Sequence, residues 1–354
     1  MTRDKSILIK NIYYMLSYAF TTLNQGDFED IAVEEFDHLH NLFAAILTRG
    51  IARLLRQGLY REYAERQADL TVLHGKIDMP GTIRHSMSQK RMLRCQYDEL
   101  SENNLLNQIL KTTAALLLRH GEVKAEYKAM LKQELMFFSG VGLIAPDSVR
   151  WERISLHRNN SAYRMLLGLC RLVLEGMLLT TEQGAYRLAS FVDERGMNRL
   201  YEKFVLEYYL REHPELKASA SQIPWVLDDG TGAMLPVMQT DVTLSRGNQV
   251  LIIDTKWYAH TTQVRYDVHT LHSQNLYQIF TYVKNLEARF GSETRRVSGM
   301  LLYAKTDETV QPDGSYQMSG NRISVRTLDL NQEFRKIAAE LNAIAESCFE
   351  ADVS

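Results

Sequence analysis

Apolar positions recur at helical spacing over the first part of the chain. Ile9, Ile12, Leu16 and Ala19 form one stripe within residues 7–20, and Leu39, Leu42, Phe43, Ile46, Leu47, Leu54 and Leu55 form another within 37–57, with Gly58 as a stop. The spacing predicts two amphipathic helices. The pattern then changes. Ala68–Leu73 and Met92–Tyr97 have β-type composition, and Gly75, Pro80 and Gly81 between them are turn residues. A small β-rich insert is expected over about 60–98. Ser101 is read as the cap of a helix over Asn103–Arg119, followed by helices over 123–138 and over the strongly apolar Tyr163–Leu179.

From Asn198 the periodicity alternates between helix and strand. The expected order is helix 198–212, strands 223–227, 235–244 and 249–258, helix 272–289, strands 297–304 and 322–328, and helix 331–349. The turn Arg246-Gly247-Asn248 pairs two strands antiparallel, and the helix after them supplies a crossover. The fold class is therefore α/β (α+β), a mixed sheet flanked by helices. The break from Gly140 to Asp147 suggests a mostly helical amino-terminal domain over 1–150, a helical connector over 151–197 and a carboxy-terminal domain over 198–354.

Composition narrows the possibilities. A chain of 354 residues, 45% hydrophobic and 24% charged, is globular and long enough for two domains. No apolar run approaches the roughly 18–20 residues that cross a bilayer, so no membrane contact is expected. The first residues lack a signal-peptide core, and the expected location is the cytoplasm. Cys95, Cys170 and Cys348 are far apart, which argues against a disulfide framework and against a zinc site. The net charge of -2 is not that of a protein that holds nucleic acid by overall charge. Any such contact is confined to a cleft or supplied by a partner. The chain has no Gly-x-x-x-x-Gly-Lys-Ser/Thr loop, so nucleotide hydrolysis has to come from elsewhere.

The candidate chemistry sits on the hairpin of residues 236–258. Asp241 lies on its first strand. Asp254 and Lys256 follow the apolar run Val250-Leu251-Ile252-Ile253 on the second, and at i, i+2 they share one face. Two carboxylates, with the backbone carbonyl of Thr255 as a third oxygen, suit Mg²⁺. Lys256 is placed to orient an attacking water, as phosphodiester hydrolysis requires. The plainer reading is a solvated acid pair at a strand end, neutralised by the lysine. Glu202 stands on an otherwise apolar stripe with Val205, Leu206 and Tyr209, which marks it as a further metal ligand or as a carboxylate at the edge of a buried face. Gln278 and Tyr282 share a face of the following helix and suit phosphate or base contacts. His269 and His272 are read as structural. The basic run from Arg84 to Arg94 is either a contact with a partner or DNA, or a solvated loop.

Asp241, Asp254-Thr255-Lys256, helical Glu202 and Gln278-x-x-x-Tyr282 together resemble the PD-(D/E)XK nuclease superfamily, in the branch with a Gln-x-x-x-Tyr helix. More closely the chain resembles the McrC family, the nuclease subunits of McrBC modification-dependent restriction systems. The segments that carry this are Lys10–Phe20, Gly75-Lys-Ile-Asp78 with Thr82-Ile-Arg84, Leu200–Phe204, Gln239–Thr243, Ile252–Tyr258 and His272–Gln278. Thr240 stands where the superfamily name has Pro. The resemblance implies a restriction-endonuclease-like carboxy-terminal domain that cuts DNA with Mg²⁺. It also implies an amino-terminal region that docks on an AAA+ GTPase ring of McrB type, and a partner that binds GTP and recognises the modified cytosine. Two other readings stay open: an exonuclease working with a helicase, and a factor that chiefly assembles and stimulates the GTPase.

Overall fold

The computed structural model describes residues 3–4, 7–20, 31, 34, 36–180, 186–189, 192–258, 263–265, 268–291 and 295–349. The chain divides into two compact units. One comprises residues 43–174 and 179–188; the other comprises residues 1–42, 175–178 and 189–354. Among the described residues no helix is long and apolar enough to cross a membrane.

The first of these units is helical with a projecting β arm. Its helices include Leu105–Arg119 and Ala125–Leu135. The cap of Leu105–Arg119 is Asn104, whose side chain accepts from the Asn107 amide at 3.2 Å, and not Ser101, whose hydroxyl accepts from the Asn103 amide at 3.1 Å. The arm is a three-stranded sheet in which Leu93–Ser101 lies between Glu62–Leu70 and Lys76–Ile77, both antiparallel to it. Asn104 and Asn107 fix its root by donating to the Tyr60 carbonyl at 2.8 and 3.0 Å. Where turn residues led us to expect a loop, Met79–Met87 is a helix. Pro80 falls in its first turn, where the missing N–H costs nothing. Within Glu62–Ser101 only Gly81 and Cys95 are buried, while Val72, Leu73, Met79, Ile83 and Met87 are exposed, Met87 at 80%. Polar contacts hold this end together: Asp69 meets His85 at 2.9 Å and Arg94 at 3.3 Å.

The second unit carries the sheet. Its helices are α1 (Ile9–Ala19), α2 (Glu194–Glu212), α3 (Ser273–Phe290) and α4 (Phe334–Phe349). The strands of its five-stranded sheet are β1 (Val242–Arg246), β2 (Gln249–Lys256), β3 (Arg296–Ala304), β4 (Gly314–Met318) and β5 (Asn321–Leu328), in the order β1-β2-β3-β5-β4. β2, β3 and β5 run parallel, and β1 and β4 are antiparallel edges. β2 is covered on both faces, which accounts for its unbroken apolar run. Gly247, at φ 60°, makes the tight turn that sets the register Val242↔Ile253. α3 crosses between β2 and β3 and seats Ile279 and Val283 over Gly299, where a Cβ would come within 2.7 Å of Ile279.

Several expected elements come out shorter. Pro224 has no N–H to give a ladder, and the strand there is only Gln222–Ile223. The strand expected over 235–244 splits into Met238–Gln239 and β1, because Thr240 turns its hydroxyl to the Ser221 carbonyl at 3.1 Å. β4 was not anticipated, since its exposed residues carry no apolar alternation.

The expected boundaries at 150 and 197 also fall elsewhere. α1 belongs with the sheet unit because its side chains are satisfied there. Asn11 donates to the Leu330 and Gln332 carbonyls, each at 2.7 Å. Tyr14 stacks on Phe334 with centroids 4.5 Å apart, and the Tyr18 hydroxyl donates to Glu212 at 2.9 Å.

Candidate active site

The carboxyl end of β2 brings the sequence-predicted residues together. Asp254 is 1% exposed, the last acid on a strand otherwise buried among Ile252, Ile253 and their neighbours. Lys256 Nζ lies 2.7 Å from Asp254 Oδ2, an ion pair without hydrogen-bond alignment, and among the described residues neither Asp254 oxygen has a hydrogen-bond partner. The lysine side chain is itself only 14% exposed. Asp241 sits just before β1. Its Oδ2 accepts from the Thr255 amide at 2.7 Å and from the Thr255 hydroxyl at 2.8 Å. Thr255 thus holds the first acid in place through two donors, one of them a side chain that the sequence reading did not use.

Two helices close around this end. α2 is capped by Asp193, which accepts from the Gly196 amide at 2.7 Å, so the helix begins four residues before Asn198. It carries Glu202 toward the acids, and one helical turn earlier Asn198 accepts from the Trp257 amide at 3.2 Å. On α3, Lys256 donates to Gln278 Oε1 at 3.1 Å, and Gln278 Nε2 donates to the Tyr282 hydroxyl at 3.0 Å. Asn275, on the same helix, accepts from Tyr258 at 3.2 Å and donates to Tyr303 at 2.9 Å. His272 packs its ring against Tyr258, centroids 5.1 Å apart; the side chain of His269 lies outside the described residues. Asn198 and Asn275 were missed in the sequence. Their signal was there: Asn198 precedes Glu202 at i, i+4, and Asn275 precedes Gln278 and Tyr282 at i, i+3 and i, i+7.

The electrostatics follow from burial. Desolvation raises the Asp254 carboxyl to about 6; the lysine pulls it back and Asp241 pushes it further up. Burial also raises Asp241, against the lowering effect of the Thr255 donors. Glu202 goes up to about 7, first through burial and then through the charges of Asp241 and Asp254. Burial alone would depress the Lys256 ammonium, but Asp254 beside it lifts it above its ordinary value. Three acids thus face one cation, and both oxygens of the most buried acid lack hydrogen bonds. A hard divalent cation such as Mg²⁺ fits this oxygen set.

A family model and a sequence relative point to one family. The model described as McrBC 5-methylcytosine restriction system component matches residues 3–304. The Type IV methyl-directed restriction enzyme EcoKMcrBC of Escherichia coli is 27% identical over 339 residues, which is 95% of this chain and 96% of that protein. Among solved structures, an assembly of Thermococcus gammatolerans McrB AAA+ hexamers with bound McrC aligns at a TM-score of 0.49 and 18% identity, over 95% of this chain and 76% of the other. A second structure, the McrBC complex of the same organism, aligns at 0.41 and 21% identity, over 57% of this chain and 58% of the other.

The raised Glu202 carboxyl gives a pH signature. Its ordinary value is 4.5 and its folded value about 7, so between these the folded chain holds the proton more tightly than the unfolded one. Stability from this group is present at low pH and is lost as pH rises through about 7. In metal-free buffer the Glu202→Gln variant should melt close to the parent chain near about pH 5 and above it near about pH 8, by on the order of 1–3 kcal/mol. Thermal unfolding at the two pH values checks this; a difference that does not change with pH contradicts it. The family match over residues 3–304 and this carboxylate-rich strand end together place the chain: it belongs to the family of McrBC 5-methylcytosine restriction system components.

Proposed function

We propose that this chain is the Mg²⁺-dependent DNA endonuclease subunit of a McrBC-type restriction complex. The observation that carries the reading is the buried Asp254, with hydrogen-bond-free oxygens, set against Lys256 and Asp241 at the end of β2. The mixed five-stranded sheet with helices on its faces is compatible with a PD-(D/E)XK core. Family membership supports DNA carrying modified cytosine as substrate.

Asp241, Asp254 and the Thr255 carbonyl would hold the metal, with Glu202 as a further ligand at the rim. When bound, Mg²⁺ supplies a Lewis acid for the phosphoryl oxygens and lowers the pKa of a water. The chain's own residues do the rest. Thr255 keeps the Asp241 carboxylate turned to the site. Lys256, with its ammonium raised, keeps its proton at neutral pH. It therefore acts as a fixed positive charge that orients a water and meets the growing charge on the phosphate, and not as a base. Gln278 and Tyr282 had been expected to contact DNA; where they stand, Gln278 accepts from the lysine and donates to Tyr282.

GTP would be bound and hydrolysed by an AAA+ partner of McrB type, since no phosphate-binding loop is present in this sequence. The docking element would be the arm of residues 62–101. Its exposed Val72, Leu73, Met79, Ile83 and Met87 form an apolar surface that a monomer has no use for. Lys76, Arg84, Lys90 and Arg91 interleave it with positive charge. The arm also favours the second reading, a factor that stimulates the partner's GTPase, and the two roles are compatible.

Two measurements test this. Reconstituted with its GTPase partner, the chain should cut closed-circular DNA carrying modified cytosine when Mg²⁺ is present. Asp254→Ala and Lys256→Ala should each lose at least about 100-fold in rate while still assembling with the partner. Cutting by Asp254→Ala at the parent rate contradicts the assignment, and cutting of linear DNA alone favours an exonuclease. Replacing residues 72–91 by an Asn-Gly turn should abolish co-elution with the partner and stimulation of its GTPase. Retained stimulation would remove the arm from the docking surface.

A further inference from the structure

The contacts of Gln278 and Tyr282 point to a role other than the DNA contact that their residue types suggest, and this inference rests on the nuclease reading above. A lysine side chain has four rotatable bonds and about 2 kcal/mol of rotamer entropy, so an ammonium is hard to hold at one point by one contact. Here it has two. Asp254 Oδ2 stands at 2.7 Å and Gln278 Oε1 at 3.1 Å. An ammonium has three donors; Gln278 takes one and Asp254 answers the charge, so donor capacity is left for a water or a phosphate oxygen.

The donor-only ammonium decides which way the Gln278 amide faces, and the other end of the amide is anchored. Nε2 donates to the Tyr282 hydroxyl at 3.0 Å. Tyr282 cannot follow a wandering amide, because it is 9% exposed and packed in the core with Ile252, Ile279 and Val283. The order is therefore core, tyrosine hydroxyl, amide nitrogen, amide oxygen, ammonium. A flip of the amide would set an NH₂ against the ammonium and lose that bond, while the tyrosine hydroxyl, donor as well as acceptor, could still pair with the amide.

The choice of an amide has its own reason. Asp241, Asp254 and Glu202 already crowd this end of the sheet, and each is raised by burial. A glutamate at 278 would add a fourth acid and draw Lys256 away from Asp254. An amide oxygen accepts from the lysine without adding charge. We infer that Gln278 and Tyr282 are positioning residues: they set the Lys256 ammonium beside Asp254 and do not read DNA.

The test uses the full chain with its GTPase partner, in the parent form and as Gln278→Met, Tyr282→Phe and the double variant. Methionine keeps the length of the side chain and removes both hydrogen bonds. Gln278→Met should lower the cleavage rate at saturating DNA by about 10- to 100-fold, the size expected for a hydrogen bond to a charged group. DNA affinity, read by fluorescence anisotropy, should stay within about twofold of the parent. Tyr282→Phe, which keeps the packing, should lose less, about 3- to 10-fold, and should cost nothing more when added to Gln278→Met, because the two act in series. A readout that needs no cleavage is acetylation of Lys256 by a small acylating reagent, followed by mass spectrometry on the isolated chain. Its rate should rise at least about threefold in Gln278→Met, where the ammonium has lost an acceptor. DNA affinity that falls in step with rate, losses that multiply in the double variant, or an unchanged acetylation rate each overturn the inference. A parent complex that does not cut DNA overturns the nuclease reading instead, and acetylation then decides this one alone. If Gln278→Met fails to fold, Tyr282→Phe carries the same measurements.

Discussion

Asp254 is held out of water at the end of a buried parallel strand, and a single lysine answers it. Removing a carboxylate from water costs several kcal/mol, and one ion pair rarely recovers that in full. Here the imbalance is larger, because Asp241 and Glu202 add two more acids to the same end of the sheet. All three carboxyls rise, and the lysine is driven up in turn. Such a cluster weakens the fold unless another cation joins it. That deficit of positive charge is the constraint around which the rest of the unit is arranged.

The arrangement has a consistent logic. Charged groups at the site are few, and neutral polar side chains do the positioning. Thr255 holds Asp241, Asn198 holds the chain just past β2, and Asn275 links Tyr258 to Tyr303 beneath the start of α3. None of them adds to the local charge. The scaffold is stiff where it has to be: Gly299 lets α3 lie close on the sheet, and α1 ties the far end of the chain to the start of α4 through Asn11. The amino-terminal helix is thus part of the unit that carries the site.

Much of this was legible in the residues. The Val250–Ile253 run ending in Asp254, the Gly247 turn and the i, i+4 pair Gln278/Tyr282 gave the hairpin, its register and the crossover helix. What could not be read was long-range. Nothing local to Asn11 says that it caps carbonyls at Leu330 and Gln332, so α1 was grouped with its sequence neighbours. Pro80 and Gly81 read as a turn, yet Pro80 is tolerated in the first turn of a helix and Gly81 lets that helix lie against Arg94. β4 carries no apolar alternation, since an exposed edge strand needs none. Gln278 was recognised but its bond to Lys256 was not, because an amide's partner depends on what stands across the cleft and not on its own neighbours.

We propose that the three raised carboxyls take up a divalent cation. Calorimetric titration of the metal-free chain with Mg²⁺, near about pH 6.5 in two buffers of different ionisation enthalpy, tests it most directly. Asp254 and Glu202, raised to about 6 and about 7, are partly protonated at that pH, so a cation that binds them must displace protons. The predicted result is saturable binding with net proton release, lost in Asp254→Asn. Absence of binding, or binding whose heat is the same in both buffers, would contradict it.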